Sequence, residues 1–217
     1  MEITALGEVV IVIPRHFDRV RVNDILAQHH QWIERTRARM RRQRERNPAR
    51  YETMPQHIVL SATNEAWRVQ YENHLECPLI TDSRAQRLLL RNDAAHLMHT
   101  QLRSWLQTHA HHHLLPWLAR ISREVGLPYL RASVRAQKTR WGSCSSRKVI
   151  SINRALMFLP PALVDYICVH ELCHTVHMNH SRRFWALVDR HCPQWRTAES
   201  AMRRANEHVP VWALSES

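Results

Sequence analysis

Glycine is scarce in this sequence, with only 3 in 217 residues. Phosphate-binding loops of the P-loop and Rossmann kinds need several glycines close together, so the sequence argues against nucleotide-dependent enzymes of those kinds. Long apolar runs are missing as well. The longest, such as residues 9–14 and 155–164, are well short of the roughly 20 residues that a membrane-spanning helix needs. We therefore expect no membrane partner.

Paired cysteines are also missing. The five cysteines are an odd number, and no two have the C-x-x-C spacing. This argues against a disulfide framework and against a zinc finger built on cysteine. The start of the sequence lacks the basic cluster and apolar core of a secretory signal. We therefore expect a cytoplasmic protein with reduced thiols.

Lysine is nearly absent, and Lys138 and Lys148 are the only two. The formal net charge of +12 therefore comes almost entirely from arginine. Eight arginines, the first Arg35 and the last Arg50, form an arginine-rich segment with few acidic neighbours. Two interpretations of this segment stay open: a face that binds polyanions such as nucleic acid, and a solvated helix surface.

The sequence changes character near residue 94, which predicts an α+β protein with two parts, residues 1–94 and residues 95–217. The first part is β-rich with one long helix, from near Asn23 to just before Pro48. Its short alternating or β-branched runs predict strands at 8–13, 57–62, 66–71 and 86–90. In the second part we predict helices at 95–108, 114–125 and 161–177, and strands at 129–137 and 149–154.

The predicted helix over residues 161–177 is apolar on nearly every side, which is typical of a buried helix. It nevertheless carries His170, Glu171, His174 and His177. Polar side chains do not enter a core unless something satisfies them. A bound metal ion would do so.

Residues 170–174 read HELCH and match the H-E-x-x-H pattern. On a helix, His170 and His174 lie on one face and can bind the same zinc ion, and Glu171 can take a proton from the attacking water. A catalytic zinc needs a third ligand, for which His177 and His180 compete. We favour His180, because His177 lies one turn further along the helix, whereas a chain reversal at Asn179 would bring His180 back.

Three segments carry a resemblance to a known family: TRWGSC at 139–144, PPALVDYICVHELCH at 160–174 and NHSRRFW at 179–185. Together they resemble the YgjP-like family of metal-dependent hydrolases, which is related to the SprT-like proteases and other zincin-type metallopeptidases. The resemblance is strongest over residues 95–205. The first part of the chain is similar to the family's N-terminal region through looser motifs.

The resemblance implies a zincin-like catalytic domain, in which a small sheet packs on the helix that carries the H-E-x-x-H motif. It implies one Zn²⁺ per chain, bound by His170, His174 and His180, and a peptide or protein substrate. Glu171 would be the general base in peptide hydrolysis.

Further candidates complete this hypothesis. Arg140, Tyr166 and His177 are candidates for stabilising the oxyanion, and the sequence does not choose among them. Trp141 and the loop around it are candidates for binding an extended substrate. The alternative hypothesis is a nucleic-acid-associated protein, with a structural zinc and the arginine-rich segment as its binding face.

The cluster HAHHH, residues 109–113, is a second histidine-rich segment. Consecutive helical residues point to different sides, so at most two of its histidines could converge, such as His109 with His112 or His113. We interpret the cluster as a helix end or a solvated surface.

Overall fold

The computed structural model describes residues 1–3, 8–18 and 20–214. They form two compact units, Met1–Tyr51 and Glu52–Ser217. This grouping differs from the division predicted at residue 94. That residues 1–94 and 95–217 are separate domains stays a prediction. None of the described helices is long and apolar enough to cross a membrane.

The first unit contains a two-stranded antiparallel sheet and two helices. Its elements are β1 (Glu2–Ile3), β2 (Val9–Val10), α1 (Arg21–Gln28) and α2 (His30–Arg46), followed by a 3₁₀ turn over Pro48–Tyr51. The prediction of one long helix is wrong in detail, because the backbone leaves helical geometry at His29, with φ −101° and ψ 8°. The strand predicted over residues 8–13 shrinks to β2. The arginines of α2 are exposed.

The second unit begins with a four-stranded mixed sheet in the order β3-β4-β6-β5. Its strands are β3 (His57–Leu60), β4 (Glu65–Glu72), β5 (Leu79–Asp82) and β6 (Arg87–Arg91). Burial alternates along β3, β4 and β6, as the predicted strands require, so one face joins the core through Leu60, Trp67 and Leu88. Strand β5 was not predicted, because Leu79 and Ile80 are its only apolar residues.

Helix α3 (Ala95–Val125) runs through the segment where two separate helices were predicted. A stripe of residues at three- and four-residue spacing is buried along its whole length: Met98, Leu102, Leu106, Ala110, Leu114, Leu118 and Ile121. Because Ala110 and Leu114 continue this stripe, the histidine cluster lies in the middle of a helix. Packing also outweighs the interior Pro116, and Gly126 ends the helix with a left-handed φ of 68°.

The rest of the second unit is a three-stranded sheet followed by three helices. The strands β7 (Arg131–Arg135), β8 (Gly142–Cys144) and β9 (Val149–Asn153) lie in the order β7-β9-β8, with β8 at an edge. Helices α4 (Pro161–Cys173), α5 (Arg182–His191) and α6 (Trp195–Met202) follow. Helix α4 is buried as predicted, but it ends four residues earlier than expected.

Candidate active site

Three histidine side chains converge where α4 ends and the chain turns toward α5. His170 lies in the last turn of α4, His174 directly follows it, and His180 precedes the N-cap of α5. The Nε2 atom of His170 lies 3.2 Å from that of His174 and 3.2 Å from that of His180. Donors at about 2.0–2.1 Å from a tetrahedral zinc lie about 3.3 Å apart. The three nitrogens therefore have the spacing of a metal-binding set.

The turn after α4 explains how His180 reaches this cluster. The hydroxyl of Thr175 donates to the carbonyl of Leu172 at 2.7 Å, and the reversal starts there rather than at Asn179. Ser181 caps α5 by accepting a hydrogen bond from the backbone of Phe184 at 3.4 Å. The helix predicted to reach residue 177 is thus too long, because side-chain and backbone caps close its end after Cys173.

His177 contacts the three converging histidines through its backbone carbonyl. Its carbonyl oxygen lies 3.0 Å from Nδ1 of His174, so that Nδ1–H donates to this carbonyl. The Nε2 atom of His174 is then left without a proton and faces the other imidazoles. An outer hydrogen bond of this kind orients a metal-binding histidine and selects its tautomer.

Aromatic side chains of α5 hold the imidazoles in place. The ring of Phe184 stacks on His174 at 4.4 Å, and the ring of Trp185 stacks on His180 at 5.6 Å. Trp185 itself stacks on Trp195 of α6 at 4.3 Å. Because the rings restrict rotation, the three nitrogens are arranged before any ligand arrives.

Burial keeps the first two histidines neutral. Desolvation lowers the pKa of His170 to about 3, helped by the neighbouring His174 and His180. Desolvation also lowers the pKa of His174, although its hydrogen bond to His177 opposes the change. Neutral imidazole is the form that binds metal.

Glu171 is buried beside this cluster. Desolvation raises the pKa of its carboxyl group to about 8, and the positive charge of Arg140 opposes the rise. Within the described residues its Oε2 atom has no hydrogen-bond partner. A buried, unpaired carboxylate next to a possible metal site is typical of a group that exchanges protons.

Gly142 leaves the space that Glu171 occupies, which the sequence analysis did not foresee. A Cβ atom at position 142 would lie 2.7 Å from both Cγ and Oε1 of Glu171. Every residue other than glycine would therefore push the carboxylate aside.

Two adjoining cavities open at this site. The first, of about 370 Å³, is lined by Arg140, Gly142, Ser143, Cys144, His170, Glu171, His174, Met178 and His180. The second, of about 260 Å³, is lined by Thr139, Arg140, Trp141, Gly142, Tyr166, Ile167, His170, Glu171 and Met202. The edge strand β8, the three converging histidines and Glu171 thus line one cleft.

The other candidate residues lie around this cleft. Arg140, Trp141 and Tyr166 line the second cavity, and the Tyr166 ring is 5.8 Å from that of His170. Asn153, which was not among the candidates predicted from the sequence, fixes the loop that carries Arg140 and Trp141. Its side-chain amide donates to the carbonyl of Arg140 at 2.8 Å, and its backbone N–H donates to that of Trp141 at 2.9 Å.

A family model described as "YgjP-like, metallopeptidase domain" matches residues 1–205 of the 217. No curated protein and no solved structure matches the chain.

Proposed function

The chain belongs to the YgjP-like metallopeptidase family, and we propose that it is a zinc-dependent peptidase of the zincin type, similar to the SprT-like proteases. The family indicates a metal-dependent hydrolase. One observation carries the proposal further: three imidazoles, the buried carboxylate of Glu171 and an edge strand line the same cleft. Peptide hydrolysis uses all three features together.

His170, His174 and His180 are the proposed ligands of the metal ion. Their Nε2 spacing of 3.2 Å fits a tetrahedral ion, and a set of three imidazoles leaves the fourth position open for catalysis. A zinc ion bound there would supply Lewis acidity and lower the pKa of an attacking water. Imidazole donors suit zinc, and the residues present therefore fit the ion.

Glu171 is the proposed general base. It is adjacent to the first ligand on α4, and its unpaired Oε2 atom can accept a proton from the attacking water. The same carboxyl group would then pass that proton to the leaving amine. Burial raises the pKa of this carboxyl group, so it holds a proton more readily than an exposed glutamate does.

Strand β8 is the proposed docking edge for substrate. Within the part of the chain that the structure describes, it pairs with β9 on one side only, so its other side can accept an extended peptide by strand addition. Among the oxyanion candidates we favour Arg140, because it lines both cavities and its charge reaches Glu171. Trp141 and Tyr166 would form the wall for a substrate side chain.

The experiment is a comparison of wild type with Glu171→Gln. We expect the variant to lose about 10²–10⁴-fold in the rate of hydrolysis, because the proton acceptor is removed. Its zinc content should stay at the wild-type value. Hydrolysis would be followed with a quenched fluorescent peptide library, and zinc by elemental analysis of untagged protein.

The matched control is Glu124→Gln, which makes the same change on the exposed surface of α3. It should match wild type in both measurements. Full activity in Glu171→Gln would contradict the base assignment, and absence of hydrolysis in zinc-loaded wild type would contradict the peptidase proposal.

A further inference from the structure

A second group of possible metal donors lies on β4 and α3. Glu65 is the first residue of β4, and His109 and His113 are four residues apart on α3. The Nε2 atom of His109 is 2.6 Å from Oε2 of Glu65, and that of His113 is 3.7 Å from Oε1 of the same residue. All three donors lie within 4.8 Å of one another. The expectation that the histidine cluster forms a helix end or only a solvated surface is therefore wrong for two of its members.

The packing around this group holds two of its three side chains in place. The indole N–H of Trp67 donates to Oε2 of Glu65 at 2.8 Å. The ring of His109 stacks on Trp105 at 5.3 Å and meets Trp67 edge-on at 5.2 Å. The side chains of Glu65 and His109 are 16% and 14% exposed, whereas that of His113 is 36% exposed. The group therefore has a fixed inner side and an opening to solvent.

Burial and hydrogen bonding shift the pKa values of the inner pair, Glu65 and His109. Burial alone would raise the pKa of Glu65, but hydrogen bonds from Trp67 and His109 bring it below its usual value. Burial lowers the pKa of His109, although Glu65 opposes the change. Zinc binding would replace the hydrogen bond from Nε2 of His109 to Glu65, and the ring would bind as a neutral imidazole with its proton on Nδ1.

We propose that Glu65, His109 and His113 form a second zinc site, separate from the candidate active site. Two imidazoles and one carboxylate are a donor set that zinc takes with its fourth position open. Donors around a tetrahedral zinc lie about 3.3 Å apart, so the distances of 2.6 Å and 3.7 Å each need to change by less than about 1 Å. The indole N–H of Trp67 would orient the carboxylate as an outer partner.

The proposed ion would tie the start of β4 to the middle of α3. The rings of Trp67 on β4 and Trp105 on α3 already meet edge-on at 5.1 Å. An ion that binds only the folded state stabilises it by mass action. The site would therefore act on stability, whether or not the protein is a peptidase.

The test measures zinc by elemental analysis in untagged protein, after loading and dialysis against metal-free buffer. We expect two equivalents in wild type, one in His113→Ala, one in His180→Ala and none in the double variant. The exposed neighbour gives the matched control, since His112→Ala should keep two equivalents. One equivalent in wild type, or two in His113→Ala, would overturn the proposal. Equal losses in His112→Ala and His113→Ala would also overturn it, because they would indicate unspecific binding to the histidine-rich surface.

Thermal unfolding gives a second readout that does not depend on retention during dialysis. In the His180→Ala background, added Zn²⁺ should raise the melting temperature, because the ion binds the remaining site. In the His113→Ala/His180→Ala variant the same addition should leave the melting temperature unchanged. Equal increases in the two proteins would contradict the assigned ligands.

Discussion

The two groups of donors start from the same helical feature and differ in how the third donor arrives. His170 and His174 are four residues apart on α4, and His109 and His113 are four residues apart on α3. His180 follows His174 by six residues, whereas Glu65 precedes His109 by 44 residues. His170 and His174 both pack against the ring of Phe184, whereas in the second pair His109 packs against Trp67 and Trp105. The first group has the unpaired buried carboxylate of Glu171 beside it, and strand β8 lines the same cleft.

The difference shows that three converging metal donors do not by themselves form a catalytic site. Either group can offer three donors to one ion. Hydrolysis additionally needs a proton acceptor and room for substrate, and we propose that Glu171 and the cleft beside β8 would supply them at the first group. At the second group, aromatic side chains occupy the inner side. We therefore assign chemistry to the first and stability to the second.

The largest effect is expected when the third donor of the first group is removed. We expect His180→Ala to lower zinc affinity at that group by about 100-fold or more, because one of only three ligands is lost. His177→Ala should change it by less than about threefold, since the contact of His177 is made by its backbone carbonyl, which alanine keeps. Competition with a zinc-sensitive dye would measure both. The reverse order would show that the third ligand is misassigned.

Gly142→Ala tests whether the carboxylate, rather than the metal, distinguishes the first group. The added methyl group meets Glu171 at 2.7 Å and displaces it. We expect kcat/KM for peptide hydrolysis to fall by about 10–100-fold, since a small misplacement of a catalytic group has that cost. Zinc content and melting temperature should stay close to those of wild type. Unchanged activity would show that the position of Glu171 does not limit the reaction.

Trp67→Phe tests whether the indole N–H of Trp67 orients Glu65 for metal binding at the second group. The substitution removes the indole N–H that orients Glu65 and keeps an aromatic ring in the core. We expect zinc affinity at the second group to fall by about 10-fold, the usual cost of losing an outer partner. Affinity at the first group should not change. Calorimetric zinc titration in the His180→Ala background isolates the effect, and equal affinities with Trp67 and Phe would contradict the orienting role.

The smallest effect is expected from the arginine-rich segment. Among the described residues no metal-donor group lies on α2, so Arg41→Gln/Arg42→Gln should change zinc content and peptide hydrolysis by less than about twofold. The same variant tests the nucleic-acid alternative. A binding face would hold a DNA duplex with an affinity that falls steeply with salt, and the variant would flatten that dependence. Absent or salt-independent binding would assign the segment to a solvated surface.

Much of the fold could be predicted because local patterns decided it. Strands β3, β4 and β6 follow from alternating apolar residues, and α4 follows from its apolar run after two prolines. The errors have a physical cause. Helix α3 continues through the histidine cluster because distant core residues bury Ala110 and Leu114, and α4 ends early because Thr175 bonds to the carbonyl of Leu172.

The first group of donors could be predicted from the sequence, because the helical period places His170 and His174 on one face and His180 lies within reach of a single turn. In contrast, the carboxylate that joins His109 and His113, and the space that Gly142 leaves for Glu171, depend on the tertiary structure. These contacts join residues that are tens of positions apart. Local spacing says nothing about such pairs, because packing of the sheets on α3 and α4 sets their distance.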